Sequence, residues 1–377
     1  MKSTLRILFT LIAFLLLFIG ALRFLYGGGE PFQSPTMTLE TASTNLELVA
    51  ELSEAPGNIA VSKTGRVFIT LHPEAKPEFA KVVEIKDGKM VPFPNEISQT
   101  ETYRTPQGIR IDSQNRLWTI DHGDNGIHGA RLVAVDLETN QIIDQYDFPK
   151  EIAGILSYLQ DLVIEPNGRY IIIADVNFFG KSPALVVYDS NLKKSKRILE
   201  NDESMKSKNY LIQAHNGPMK RLFGLISMKP GVDSIGLDSK GEYLYFAPMT
   251  HDRLFRIPLN DLVNESLTNA DLKEKIENYS AKTLTDGITL DDENNIFLTD
   301  VENRSILKID TKKNLKISIQ SPKLRWPDGL SWGPDGYLYI ADSDIPDLVL
   351  ASRNDIKKAA PFHIFRYKPG TQGRIGH

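Results

Sequence analysis

One pattern of apolar and polar stretches returns six times along the chain. Each copy is a turn, a short apolar strand, a polar hairpin tip and a second apolar strand. The copies are PGNIAVSKTGRVFIT from Pro56, PQGIRIDSQNRLWTID from Pro106 and LQDLVIEPNGRYIIIAD from Leu159. They continue as GVDSIGLDSKGEYLYFAP from Gly231, TDGITLDDENNIFLTD from Thr285 and PDGLSWGPDGYLYIAD from Pro327. Aligning Gly57, Gln107, Asp161, Asp233, Asp286 and Asp328 gives steps of 50, 54, 72, 53 and 42 residues. Strands repeating at such a period are the mark of β-propeller blades, because each unit buries its apolar faces only against its neighbours. The pattern predicts an all-β, six-bladed β-propeller.

Further apolar runs supply the remaining strands. KVVEIK, RLVAVDL, ALVVYDS, LFRIPL, ILKID and HIFRY read as third strands, and IIDQYDFP, KSKRILE and LKISIQS as outer ones. Leu46–Leu52 precedes the first phrase. A lone N-terminal strand of this kind closes a ring by pairing as the outer strand of the last blade, here beside His363–Lys368, and so removes an exposed edge. The long step holds an insertion at about residues 201–229. Between Asp261 and Tyr279, Leu262, Leu272 and Ile276 predict a short amphipathic helix, with Asn260 or Asp261 as its N-cap.

Ahead of the propeller, Lys2 and Arg6 precede an unbroken apolar run from Ile7 to Leu22, followed by Arg23 and Phe24-Leu25-Tyr26. Counted to Tyr26 the run reaches spanning length, with Arg23 reaching toward headgroups and Tyr26 in the aromatic belt. Residues 1–26 therefore read as one membrane helix or a signal sequence, 27–45 as a flexible linker rich in Gly, Pro, Ser and Thr, and 46–377 as the propeller. In both cases the propeller is exported to the periplasmic or extracellular side, since the leading positive charges keep the N-terminus in the cytoplasm. The propeller is anchored if the segment stays and secreted if it is cleaved.

Composition narrows the chemistry. Of 377 residues, 41% are hydrophobic and 24% charged, with a net charge of −4, so no basic footprint for nucleic acid exists. Cysteine is absent, which rules out disulfides, thiolate catalysis and Cys-based metal sites. The sequence carries no H-E-x-x-H, G-x-G-x-x-G or P-loop motif. The expected partners are a small-molecule ligand and, through the N-terminal segment, a membrane; the expected state is a monomer.

Topology places the candidate residues. In an antiparallel blade the inner strand starts, and the second strand ends, at one face. Gln107, Asp161, Asp233, Asp286 and Asp328 therefore share a face with His72, Asp121, His122, Asp175, His251, Asp300 and Asp342, while the hairpin tips occupy the opposite face. His215 lies in the insertion. Clustered carboxylates at the throat repel one another unless they hold a cation, share protons or accept backbone hydrogen bonds. An Asp before Gly also closes an Asx-turn, which leaves a purely structural role open for each. On the functional reading, Asp161, Asp233, Asp286 and Asp328 are metal ligands for Ca²⁺ or another divalent cation. Gln107, Asp175, His72, His215, Asp300 and Asp342 then contact ligand, and His122, His251 and Asp121 move protons. Trp118, Trp326, Phe178 and Phe179 either line the mouth or pack.

The phrases LQDLVIEPNGRYIIIADVN with ALVVYD, and GVDSIGLDSKGEYLYFAPMTHDRLFRI with TDGITLDDENNIFLTDVENRSILKID, resemble the major royal jelly and yellow proteins, whose bacterial relatives are called dopachrome-tautomerase-related. The resemblance implies a secreted six-bladed propeller with a small ligand in its central channel. A more distant likeness is to calcium-dependent lactonases of the gluconolactonase and senescence-marker type, which place a metal on a first-blade Glu and later inner-strand Asn or Asp residues. In this chain Gly57 and Asn58 stand at the first-blade position, so that Glu is missing, while Asp233 and Asp286 match later ligands. The resemblance implies, for an enzyme, metal-assisted lactone or ester hydrolysis or a tautomerisation; the alternative is a non-catalytic module binding a partner or an envelope component on the same face.

Overall fold

A computed structural model describes residues 2–40 and 45–377, so residues 41–44 of the expected linker lie outside the described residues. Six four-stranded antiparallel sheets form the blades of a propeller. Their innermost strands are Pro56–Val61, Pro106–Ile111, Leu159–Ile164, Val232–Leu237, Ile288–Leu290 and Pro327–Trp332, and each touches the next around the ring. The alternation of the sequence explains the packing. Each strand turns one apolar set toward the preceding blade and one toward the next, so the core lies between blades, not within any one of them. Ile109, Leu117 and Val135 pack on Phe68 of blade 1, for example, while Trp118, Ile120 and Leu132 pack on Leu162 and Ile173 of blade 3.

Closure follows the expectation. Glu47–Leu52 pairs antiparallel with Phe362–Tyr367, in a register that sets Glu47 against Arg366 and Leu52 against Phe362. The sixth blade is thus built from both ends of the propeller sequence. The helix expected on blade 4 is instead two short ones, Leu259–Val263 and Asn269–Lys273, with Leu262 and Leu272 buried. Neither Asn260 nor Asp261 caps them. Thr268 does so for the second, in a reciprocal capping box with Asp271, because a hydroxyl three residues ahead of a carboxylate satisfies two free N–H groups at once.

Two features concern the channel. The C-terminal tail closes the hairpin-tip end: Trp332 N donates to His377 O at 2.9 Å, Ile111 N to Gly376 O at 3.1 Å, and Arg374 Nη1 to Ile164 O at 2.5 Å. The opposite end carries the insertion, whose short hairpins Gln213–Ala214 with Gly217–Pro218 and Lys220–Arg221 with Ile226–Ser227 lie over the mouth. Access to the channel is therefore from the insertion side.

An apolar helix, Lys2–Tyr26, precedes the propeller, and its stretch Thr4–Tyr26 is long enough to cross a membrane. The segment after it follows the propeller surface. Glu30–Pro31 pairs with Tyr210–Leu211, Phe32 stacks edge-on against Tyr210, and Glu40 N donates to Ile317 O at 2.8 Å.

Candidate functional site

The channel side chains are set by a shared irregularity. In blades 1, 2, 3, 4 and 6 the pairing of the inner strand slips at its start, between Pro56/Ile59, Pro106/Ile109, Leu159/Leu162, Val232/Ser234 and Pro327/Leu330. A bulge re-aims the side chain it carries, here toward the channel axis. The residue after it must often be glycine, because neighbouring inner strands converge: a Cβ on Gly287 would lie 2.0 Å from Asp328 O, and one on Gly108 2.6 Å from Gln160 O. The recurring Asp-Gly and Gln-Gly pairs thus encode a side chain at the throat followed by a backbone contact.

This register corrects one assignment. Aligned through the bulges, the throat positions are Gly57, Gln107, Gln160, Asp233, Asp286 and Asp328. Asp161 falls one place later, beside Asn58 in the equivalent blade 1 position. It is not a free metal ligand, because Arg110 Nη2 pairs with it at 3.1 Å in a nearly water-free setting and Asn58 Nδ2 donates to it at 3.2 Å. Arg110 Nη1 in turn donates to Asn58 Oδ1 at 2.8 Å. The slot that would hold a first-blade Glu therefore belongs to an Asn–Arg–Asp network, in which a positive charge stands close to the throat.

Asp233, Asp286 and Asp328 do come together. All three are buried, and each keeps one carboxyl oxygen without a partner: Asp233 Oδ2, Asp286 Oδ1 and Asp328 Oδ2; Gln107 Oε1 is likewise unpartnered. Asp286 Oδ2 accepts the indole N–H of Trp326 at 2.5 Å. Burial pushes the Asp286 carboxyl up to about 7, against the indole bond that lowers it. Burial, and then the facing Asp286 and Asp328 carboxylates, raise Asp233 well above the usual range. Asp328 rises for the same reasons, with Asp286 its main neighbour. Like charges in a dry throat disfavour full ionisation, so this triad retains protons at neutral pH.

Asp233 forms part of the floor of a cavity of about 120 Å³. Its polar end is His72, Glu74, Tyr158, Gln160 and Asp233; its apolar roof is Ile212, Met219, Ile226 and Met228 of the insertion with Ile345 and Val349 of blade 6. Arg221 pins that roof, Nε donating to Val349 O at 2.7 Å and Nη2 to Pro346 O at 2.6 Å. Of the aromatic candidates, Trp326, Phe178 and Phe179 line the cavity, whereas Trp118 is core and donates to Asp112 at 2.9 Å. Glu74, Tyr158, Gln160 and the roof were not expected from the sequence. Glu74 and Tyr158 stand just outside the repeated phrases, and the roof lies in the insertion between blades 3 and 4. Its only signal is an apolar pattern, LIQAHNGPMKRLFGLISM, outside any blade phrase.

The rim residues divide differently from expectation. His72 lines the cavity; its Nδ1 accepts Glu74 N at 3.1 Å, so the ring proton sits on Nε2, and burial pulls it down to about 4. His122 stacks on Tyr158 with centroids 4.1 Å apart, accepts Asn125 N at 2.9 Å through Nδ1, and is pulled by burial to about 3. It stands behind the cavity wall. His251 is not at the cavity: its Nδ1 accepts Arg253 N at 2.9 Å and it packs on Phe255. His215 sits at the roof's edge, 3.5 Å from Asp344 and 3.9 Å from Asp347, away from the throat.

The second-strand aspartates are clamps. Asp121 accepts Arg104 N at 2.6 Å, Gly123 N at 2.8 Å and Thr105 N at 3.1 Å, and it is not part of the cavity lining. Asp175 accepts Tyr158 N at 2.7 Å and pairs with Arg197 at 2.6 Å. Asp342 accepts Trp326 N at 2.7 Å and Arg325 N at 3.0 Å, and Asp300 accepts Asn303 N at 3.1 Å and the Asn303 amide at 2.9 Å. In blades 2, 3 and 6 the clamp binds the segment entering the same blade's inner strand. These four positions fix the throat's geometry and do not present ligating oxygens to it. Lys282, also unforeseen, is buried with its ammonium on the carbonyls of His251 at 2.7 Å and Thr283 at 2.9 Å, and burial pulls it down to about 7.

Comparison with known proteins agrees with this architecture. The family model described as major royal jelly protein matches residues 105–359, blades 2 to 6 and more than half of the chain. The chain belongs to the major royal jelly protein family. No curated protein matches it in sequence. Among solved structures it is similar to a luciferin-regenerating enzyme, with a TM-score of 0.57 and 12% identity over 89% of this chain and 98% of that one. It is also similar to a gluconolactonase from Xanthomonas campestris, with a TM-score of 0.55 and 11% identity over 91% and 97%. A calcium-binding regucalcin from Agrobacterium tumefaciens gives 0.54 and 14% over 87% and 96%. At these identities the likeness is one of fold.

For this royal jelly family member the fit to a divalent cation rests on its own donors. Three carboxyl oxygens and one amide oxygen, buried and unpartnered around one throat, are the hard ligands that Ca²⁺ takes. They are set wide. Among the described residues the only His, Asp or Glu trio with ligand atoms within 4.8 Å of one another is His215, Asp344 and Asp347 at the roof.

Proposed function

We propose that this protein is an exported, membrane-tethered propeller that holds a small amphipathic molecule in its central cavity. The apolar body lies under Met219 and Met228, and a carbonyl end reaches the Asp233 carboxyl. The observation that carries this reading is an apolar cavity ending on a buried carboxylate with a free oxygen. Ligand pockets combine such apolar walls with a few convergent polar groups, and a perturbed acid in a cleft marks a functional site.

The fitting substrate class is a lactone or ester. Asp233, whose protonated form is favoured by burial and then by its acidic neighbours, donates a hydrogen bond to the carbonyl oxygen, while Gln160 and the Nε2–H of His72 orient the remaining polar atoms. Asp286 and Asp328 set the protonation of Asp233 and complete the polar end.

Titration with δ-lactones of rising alkyl length tests the reading, using the full chain in nanodiscs against empty nanodiscs. Each added methylene buries about 0.8 kcal/mol of apolar surface, so Kd should fall about fourfold per carbon until the roof is reached. Affinity independent of chain length would refute the cavity as the ligand site.

A further inference from the structure

The cavity face carries a second pattern that the small-ligand reading does not use. At the tip of the hairpin between Lys220–Arg221 and Ile226–Ser227, Phe223 is fully exposed and Leu222 about half so. Both have positive φ, 56° at Phe223 and 49° at Leu222, where bulky side chains are unfavourable and Asn or Gly would be expected. Ile155, Leu156, Phe179 and Leu350 are exposed on the same rim, and Leu350 and Phe179 also line the cavity mouth. Water gives no reason to hold these side chains outward. A lipid layer does.

The N-terminal helix docks at this rim through its last turn. Arg23 Nη1 donates to Gly224 O at 2.7 Å, in the same tight turn as Phe223, and Tyr26 Oη donates to Phe179 O at 2.6 Å. Lys229 Nζ donates to Gly27 O at 2.9 Å, and Lys181 Nζ stands 4.5 Å above the Tyr26 ring. Arg and Tyr at a helix end are the residues of the headgroup layer. Whatever level Tyr26 occupies at the bilayer surface, Phe179 and Gly224 occupy it too. Arg23, Lys181 and Lys229 add cations beside the apolar tip, the combination that suits anionic lipid.

We propose that the rim of Leu222, Phe223, Phe179, Ile155, Leu156 and Leu350 sits in the leaflet from which the N-terminal helix emerges, so that the cavity opens onto lipid. The inference rests on the helix remaining as an anchor, and it gives the amphipathic ligand its source: molecules that partition into the bilayer reach the cavity without crossing bulk water.

The absence of native cysteine makes the test direct. Phe223→Cys and Leu350→Cys, with Lys63→Cys on the opposite hairpin face as control, are labelled with an environment-sensitive nitrobenzoxadiazole group in the full chain. The chain is then reconstituted in phosphatidylethanolamine–phosphatidylglycerol vesicles containing nitroxide lipids. The expected result is blue-shifted emission and several-fold stronger quenching at 223 and 350 than at 63. Vesicle-bound protein whose label at 223 matches that at 63 would overturn the docking and leave the ligand reading intact. Full-length protein that fails to bind vesicles would overturn the docking and the anchor together. Lactone titration of the unlabelled native chain reports on the cavity separately.

Discussion

Removal of residues 1–53 is expected to lower the melting temperature on the order of 10 °C, whereas removal of residues 1–45 leaves a folded propeller with a much smaller loss. The difference is the strand Glu47–Leu52, the outer strand of blade 6. It buries Ala50 and Leu52 against Phe362 and Ile364, and loss of a buried Leu side chain alone costs roughly 2–5 kcal/mol. Its absence also exposes the backbone edge of Phe362–Tyr367, a site for aggregation. Residues before 46 contribute surface contacts such as Phe32 on Tyr210 and the bridge of Leu39 with Ile317. Calorimetry of the two truncations compares them; equal melting temperatures would contradict closure through this strand.

Asp286→Asn is expected to gain stability relative to the native chain as pH rises from 4 to 7, with EDTA present. The sign follows from linkage. Asp286 titrates at about 7 in the fold against an ordinary value of 3.8. Between these limits the folded chain binds the extra proton, so the native chain's stability is complete below about 4 and is lost as pH climbs through 7. Asparagine neither titrates nor forfeits the acceptor for Trp326. The gap should widen in the variant's favour across that window, with a slope of at most about 1.4 kcal/mol per pH unit for one proton. His72 and His122, pulled down to about 4 and about 3, act in the opposite sense: their contribution is complete above about 6.5 and is lost as pH falls. They are common to both chains and cancel in the comparison. A stability difference that stays flat with pH would show that the throat carboxylates ionise freely.

The strand order and the closing strand were legible in the sequence, because a propeller writes its periodicity into alternating apolar residues. Asp161 shows where legibility ended. Five of the six inner strands bulge at their start, and a bulge adds a residue while the hydrophobic alternation continues downstream. LQDL therefore aligns on its Asp by eye and on Gln160 in space. The Asp residues after the second strands misled for a different reason. Asp121, Asp175 and Asp342 have the residue type and face of ligands, and only the positions of the backbone N–H groups of Arg104, Tyr158 and Trp326 identify them as clamps. The roof could not be read at all, since an insertion with no repeat carries no register from which to place Met219 or Met228 over the channel.

Lactone affinity and melting temperature measured together on Asp233→Ala and Asp121→Asn separate a throat that holds ligand from one that is only architecture. Asp233 lines the cavity and keeps a carboxyl oxygen without a partner, and a hydrogen bond from a neutral acid is worth about 0.5–1.5 kcal/mol. Asp233→Ala removes that donor and should weaken binding by roughly twofold to tenfold with melting little changed. Asp121→Asn turns an amide donor toward Arg104 N–H, now without its acceptor, and should cost roughly 1–3 kcal/mol of stability with affinity unchanged. Unaltered affinity in Asp233→Ala, with binding lost in Asp121→Asn at full stability, would contradict the account.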